Sequence, residues 1–208
     1  MAFVNTLFNL WPDGDKRIPG LRDGIAAAAP TVFPKYGITT PLLVAHLMAQ
    51  ISHECGAGLE VEENLNYSAQ RMTQVWPSRF PTVASAIPYA HNPRLLANKV
   101  YNGRMGNVAN SNDGWNFRGR GATQTTGRNG YSALSEKLGI ANLVDHPELV
   151  NSPGLFLEAG TADFVLCGCL PWAEQDNVLQ VTKHLNGGTV GLPERVAWLH
   201  RWKVALAS

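Results

Sequence analysis

Two glutamates with different local sequences, Glu54 and Glu63, stand nine residues apart in this chain. Glu54 lies in Gln50-Ile-Ser-His-Glu-Cys-Gly56, and Glu63 lies in the polar segment Glu62-Glu-Asn-Leu-Asn-Tyr67. Hydrolysis of a glycosidic bond needs one acid that protonates the leaving oxygen and one carboxylate that activates water or attacks the sugar. The pair therefore indicates glycoside hydrolysis, and two ordinary exposed glutamates are the alternative.

Glu54 stands at the end of a predicted helix over 41–55, because Thr40 and Pro41 are typical of a helix start and Gly56 of a helix end. An apolar stripe on this helix predicts partial burial of the carboxyl group. Burial and the negative end of the helix dipole both favour the protonated form, which suits a general acid. Glu63 lies in a segment without apolar periodicity, so we expect it to be solvated and ionised, as a general base must be.

A glycine-rich run, Phe117-Arg-Gly-Arg-Gly-Ala-Thr-Gln-Thr-Thr126, provides a polar loop. Its glycines permit close approach of the backbone, and Gln124 and Thr126 offer hydrogen-bonding groups to sugar hydroxyls or to a water. Arg118 and Arg120 could orient a carboxylate or the substrate, and a structural turn with solvated arginines is the alternative. A phosphate-binding loop is not favoured, because the Gly-Lys-Ser/Thr ending and the strand-turn-helix context are both missing.

The composition favours an enzyme without nucleic-acid or membrane partners. The 208 residues carry a formal net charge of +1, which gives no support for nucleic-acid binding. The apolar stretches are too short to span a bilayer, so we expect no stable membrane insertion. The segment Met1–Pro12 lacks the features of a secretory signal.

Metal and cofactor sites are not expected. Three cysteines without a secretory signal are interpreted as reduced thiols, and Cys167-Gly-Cys169 lacks further ligands at a metal-binding spacing. His53-Glu54 resembles the start of the zinc-protease helix motif, but Ala57 stands where the second histidine belongs.

The chain is predicted to be mainly α-helical, with a single domain over 1–208 and a small inserted lobe over about 68–115. The last helix carries Trp198 and Trp202 beside basic residues, a pattern that favours docking on the core over contact with a membrane. The predicted helices cover 41–55, 69–76, 94–101, 128–138, 153–169, 177–185 and 193–207.

Four motifs in this order, namely His53-Glu54 after an apolar helix, the Phe117–Thr126 loop, Tyr131 and Asn186-Gly187-Gly188, resemble glycoside hydrolase family 19. The resemblance covers roughly residues 40 to 200. It implies a lysozyme-like helical fold. With the helices and the small inserted lobe predicted above, we expect an all-α (mainly α) fold in which a large catalytic lobe and the small lobe flank a substrate groove. The resemblance also implies an inverting hydrolase of β-1,4-linked N-acetylated sugars.

The resemblance assigns roles to individual positions. It implies that Glu54 is the general acid, Glu63 the general base and Thr126 a residue that holds the attacking water. The segment Glu63-Asn-Leu-Asn-Tyr-Ser68 is closer to the phage endolysins of the family than to its plant chitinases, and residues 127–130 lack the aromatic and asparagine residues that follow the loop in those chitinases. The candidate substrate-binding residues are Gln124, Asn186, His53, Tyr67, Arg120 and Tyr131, of which the tyrosines have core packing as the alternative.

The resulting hypothesis is an endolysin that cleaves the bond between N-acetylmuramic acid and N-acetylglucosamine in peptidoglycan glycan strands. We expect a monomer that is made in the host cytoplasm and reaches the cell wall in the periplasm after a separate pore-forming protein has opened the membrane. A chitinase of the same family and a non-catalytic glycan-binding protein are the alternatives.

Overall fold

Helices form the regular structure of the computed structural model, which describes residues 2–207. Within these residues no strand is present, and isolated bridges join Arg120 to Glu62 and to Thr125. The predicted mainly α fold is therefore confirmed. The α-helices are α1 (Ala2–Leu10), α2 (Leu21–Lys35), α3 (Pro41–Glu54), α4 (Ala69–Val75), α5 (Val83–Ala86), α6 (Pro93–Tyr101), α7 (Asp113–Asn116), α8 (Arg128–Leu138), α9 (Pro153–Leu166), α10 (Leu170–Glu174), α11 (Val178–Asn186) and α12 (Leu192–Ala207). Short 3-10 turns cover Gly56–Gly58, Ile87–Tyr89 and Pro147–Asn151.

The helix α3 lies in the interior and carries Glu54 at its end. The Thr40 side chain caps its start by accepting a hydrogen bond from the Leu43 amide at 3.3 Å. All residues from Ala45 to Ser52 are buried, as expected for a helix that is covered on every face. The last turn of α3 is therefore fixed by the core before it reaches the surface.

Both ends of the chain are joined to α3 through Ser52. The indole N–H groups of Trp11 and Trp202 each donate to Ser52 Oγ at 2.9 Å. Trp202 and Leu199 are buried in the main core, so the apolar stripe of α12 packs against the protein. None of the described helices has the length and apolarity needed to cross a bilayer.

The buried apolar residues form two separate clusters. The main cluster contains α3 together with residues of α2, α9 and α12. The second cluster begins at Leu65, just before the predicted small lobe of about 68–115, and its other buried members lie within that range. Tyr67 and Trp115 pack against it. Its buried members are Leu65, Met72, Phe80, Ala86, Leu96, Ala97 and Val100.

Two helices near the N-terminus, α1 and α2, were not predicted from the sequence. In α2, Pro30 and Pro34 are internal and interrupt the pattern of a regular helix. Gly24 is required where α2 crosses α9, because a Cβ atom at this position would lie 2.4 Å from the Pro153 carbonyl oxygen. Tertiary packing therefore overrides the local helix-breaking signals.

The three cysteines are free thiols. Cys55 and Cys169 are buried in the main core, and burial raises the pKa of the Cys55 thiol to about 12. These residues act as small apolar side chains in the core.

Candidate active site

A polar groove of about 750 Å³ contains both sequence-predicted catalytic glutamates. Its wall combines the end of α3, the extended segment that follows the first 3-10 turn, and the glycine-rich loop. The lining residues are Arg17, Glu54, Leu59, Glu60, Val61, Glu62, Glu63, Asn64, Tyr67 and Gln124. The structure therefore brings Glu54, Glu63, Gln124 and Tyr67 together.

The Glu54 carboxylate is 15% exposed and forms an ion pair with Arg195 of α12. The Arg195 side chain is 2% exposed and also donates to the Gln50 side-chain oxygen, one helical turn before Glu54. The carboxylate is thus partly buried, as the apolar stripe of α3 predicted, and Arg195 is a charged partner that the sequence did not reveal.

The Glu63 carboxylate is held in one position by the loop and by the second cluster. The Tyr101 hydroxyl donates to Glu63 Oε1 at 2.6 Å, and the Gly119 amide approaches Oε2 at 3.4 Å. The Glu63 amide in turn donates to the Gly119 carbonyl oxygen at 2.9 Å. Burial and the neighbouring carboxylate raise the pKa of Tyr101, so this hydroxyl remains a donor. Glu63 is therefore half-buried and held in place, and it does not lie in open solvent as the sequence predicted.

Glu62, next to the candidate base, has a structural role. Its carboxylate pairs with Arg118 and, at 2.7 Å, with Nε of Arg120. Both arginines are buried, and Arg120 also donates to the Asn116 carbonyl oxygen. The substrate-binding prediction for Arg120 is therefore corrected, because its guanidinium is buried in contacts with the protein.

The glycine-rich loop brings Gln124 and Thr126 close to Glu63. A Cβ atom at Gly119 would lie 2.9 Å from Gln124 Oε1, 3.2 Å from Thr126 Oγ1 and 3.5 Å from Glu63 Cβ. Any side chain at position 119 would therefore push these groups apart.

Gln124 connects the loop to the segment that carries Glu63. Its φ angle of 55° is uncommon for a residue other than glycine. The side-chain amide donates to the Glu60 carbonyl oxygen at 2.9 Å, which leaves Oε1 near the groove. Strained backbone positions of this kind cluster at functional sites.

Asp163 of α9 holds the same loop in place through hydrogen bonds, a role that the sequence did not reveal. Its carboxylate accepts hydrogen bonds from Thr123 at 2.7 Å and Thr125 at 3.3 Å, the residues on either side of Gln124. Burial raises the pKa of Asp163, and repulsion from Glu54 adds to this effect. Asp163 thus links the loop to the surroundings of the candidate acid.

Three further predicted binding residues lie outside the groove wall. Tyr131 is fully buried and donates to the Arg118 carbonyl oxygen at 3.2 Å, so its predicted contact with substrate is wrong and the packed alternative is correct. His53 packs closely against Gly191. Asn186 is exposed at the end of α11, and its side chain donates to the Val190 carbonyl oxygen at 3.4 Å.

No family model matches the chain. A protein from Haemophilus influenzae, described as a glycosyl hydrolase family 19 domain-containing protein, is 36% identical to it over 182 residues, which cover 87% of this chain and 88% of that protein. This chain belongs to glycosyl hydrolase family 19. The family resemblance found in the sequence is thereby confirmed, and the chain is a glycoside hydrolase of this family.

Solved structures share the fold of this family 19 protein at low sequence identity. Chitinase C from Streptomyces griseus HUT6037 superposes with a TM-score of 0.64 at 17% identity, covering 98% of this chain and 76% of the chitinase chain. A mutant of chitinase C gives a TM-score of 0.59 at 16% identity, with 99% and 92% covered. At these identities the comparison establishes the chitinase-like helical fold.

Tyr101→Phe should lower kcat by about ten- to a hundredfold with little change in KM, since a hydrogen bond to a charged group contributes about 1.5–3 kcal/mol. Without the donor, the Glu63 carboxylate loses the contact that fixes its orientation, so the loss should appear in kcat. The measurement is kcat and KM on solubilised glycan.

Tyr89→Phe is the matched control, because Tyr89 packs in the same second cluster and no hydrogen bond of its hydroxyl is seen among the described residues. If Tyr101→Phe kept the same kcat as Tyr89→Phe, the positioning role of Tyr101 would be refuted.

Proposed function

We propose that this family 19 hydrolase is an endolysin that cleaves the β-1,4 bond between N-acetylmuramic acid and N-acetylglucosamine in peptidoglycan, with inversion at the anomeric carbon. The observation that carries the proposal is the groove in which Glu54 and Glu63 occur together in different surroundings. In the cell it acts on the wall in the periplasm, after a separate pore-forming protein has opened the membrane.

Each side chain in the proposed mechanism has a distinct task. Glu54 protonates the leaving oxygen, and Glu63 removes a proton from a water that attacks the opposite face of the sugar. The Thr126 hydroxyl donates to the Gln124 carbonyl oxygen at 2.8 Å, so its lone pairs remain to accept a hydrogen bond from that water. In an inverting enzyme the two carboxyl groups are about 6.5–9.5 Å apart, which leaves room for this water.

The segment after the loop supports peptidoglycan over chitin as the substrate. Arg128 pairs with Asp113 at 2.8 Å, and Asn129 packs closely against Gly106. These residues are engaged within the protein. Residues 127–130 also lack the aromatic residues that follow the loop in plant chitinases. The endolysin-like sequence from Glu63 to Ser68 supports the same choice.

A paired assay on purified peptidoglycan and on chitin oligosaccharides tests the proposal. We expect soluble fragments with N-acetylmuramic acid at the reducing end, and NMR immediately after cleavage should show the α anomer first, because a β bond is inverted. Cleavage of chitin alone would establish the chitinase alternative. Binding to glycan without release of any fragment would establish a non-catalytic protein.

Thr126→Ala should reduce kcat by about tenfold and leave KM nearly constant, because the hydroxyl orients a water and makes no lasting contact with the sugar. Thr126→Ser should keep most of the activity, since it retains the hydroxyl group. Steady-state kinetics on soluble glycan strands provide the measurement. Equal losses in the alanine and serine variants would contradict the role of the hydroxyl.

A further inference from the structure

Among the described residues that line the groove, Arg17 is the cationic side chain, and it shares the wall with the carboxylates of Glu54, Glu60, Glu62 and Glu63. An anionic substrate would be repelled by such a wall unless a cation faced it. The position of Arg17 therefore bears on which sugars the groove accepts.

The Arg17 guanidinium is attached to the protein by one hydrogen bond. Its Nε donates to the Leu59 carbonyl oxygen at 3.3 Å, and no ion pair with a described carboxylate is formed. The other arginines near the groove are neutralised by a carboxylate, unlike Arg17. Arg118 and Arg120 pair with Glu62, and Arg195 pairs with Glu54. The two terminal nitrogens of Arg17 are thus available to a ligand in the groove.

The backbone around Arg17 is fixed beside the turn that follows Glu54. A Cβ atom at Gly58 would lie 2.6 Å from the Gly14 carbonyl oxygen, so the two segments touch through their backbones. Arg22 pairs with Asp15 at 2.7 Å and holds the same segment from its other side. Arg17 is therefore presented next to the connection between the two catalytic candidates.

We infer that Arg17 binds a carboxylate on the muramic acid branch of the substrate and so makes the enzyme prefer peptidoglycan to uncharged chitin. A guanidinium binds a carboxylate through two parallel hydrogen bonds, a geometry that the uncharged groups of chitin do not offer. The carboxylate belongs to the lactyl group in strands without peptides, or to the peptide stem in intact strands. This inference rests on the proposed function.

The experiment compares wild type, Arg17→Gln and the control Lys16→Gln on matched substrates. Lys16 is the neighbouring cation, but it pairs with Asp13 at 3.0 Å and does not line the groove. The substrates are glycan strands stripped of peptides by an amidase, the same strands with carboxylates converted to methylamides, and strands that keep their peptides. Thermal unfolding verifies that the variants are folded.

For wild type and Lys16→Gln, kcat/KM should be about tenfold higher on the charged strands than on the amidated strands, and for Arg17→Gln this ratio should fall to about one. If Arg17→Gln lowers kcat/KM only on the stripped strands, the ligand is the lactyl carboxylate. If it lowers kcat/KM only on the peptide-bearing strands, the ligand is a carboxylate of the peptide stem. Retention of the tenfold ratio by Arg17→Gln would overturn the inference while leaving the proposed function intact. Wild type that cleaves none of the strands would overturn both.

Discussion

Glu54→Gln should abolish hydrolysis, with a loss of at least about a hundredfold in kcat, because the amide keeps the shape of the side chain but has no proton to give to the leaving oxygen. The variant should still fold, since the amide oxygen can accept the hydrogen bond from Arg195. We expect the free energy of unfolding to fall by about 1–3 kcal/mol, because Arg195 is buried and loses its charged partner. Fragment release from peptidoglycan and chemical denaturation measure the two effects.

Glu60→Gln is the control for this substitution. Glu60 lines the same groove, but its carboxylate is exposed and forms no ion pair among the described residues. Its amide variant should keep a rate within about threefold of wild type, because surface substitutions rarely matter. A well-folded Glu54→Gln protein that lysed walls at the wild-type rate would refute the assignment of the acid.

The helices that could be predicted from the sequence are those whose ends carry local signals. Thr40 and Pro41 start α3, and a glycine in the left-handed conformation follows α8 at Gly139, so each boundary depends on neighbouring residues. The helix α2 could not be predicted in this way. Its prolines are tolerated because it packs against α9, and that contact joins residues far apart in the sequence.

The same distinction between local and distant contacts applies to the residues of the candidate site. Glu54 and Gln124 belong to contiguous motifs and were predicted to lie in one groove, where the structure places them. The partners Arg195 and Asp163 could not be predicted, because each approaches the site from a helix more than thirty residues away in sequence. Asp163 has no motif around it, and nothing in the sequence distinguishes Arg195 from the other basic residues of α12.

The structure also shows why a glycine-rich motif does not give the role of each of its residues. Arg118 and Arg120 are two residues apart in the loop, yet both turn toward Glu62 and are buried. Their contacts fix the segment that presents Glu63 to the groove. The loop therefore serves the chemistry through the position of its backbone as well as through its polar side chains.

Glu63→Gln should remove most of the activity, with a loss of about 10²–10⁴-fold in kcat, because the amide cannot take a proton from the attacking water. The residual rate should also lack the acidic limb of the wild-type pH–rate profile, since that limb reports the carboxylate that must be ionised. The Tyr101 hydroxyl can still donate to the amide oxygen, so folding should be preserved. The measurement is kcat on soluble glycan strands across the pH range.

Glu62→Gln separates the catalytic glutamate from its structural neighbour. Because Arg118 and Arg120 are buried and share the Glu62 carboxylate, this variant should lower the free energy of unfolding by about 1–3 kcal/mol. Below its unfolding temperature it should retain both limbs of the pH–rate profile, since Glu63 remains in place. An inactive Glu62→Gln enzyme beside an active Glu63→Gln enzyme would show that the base had been assigned to the wrong glutamate.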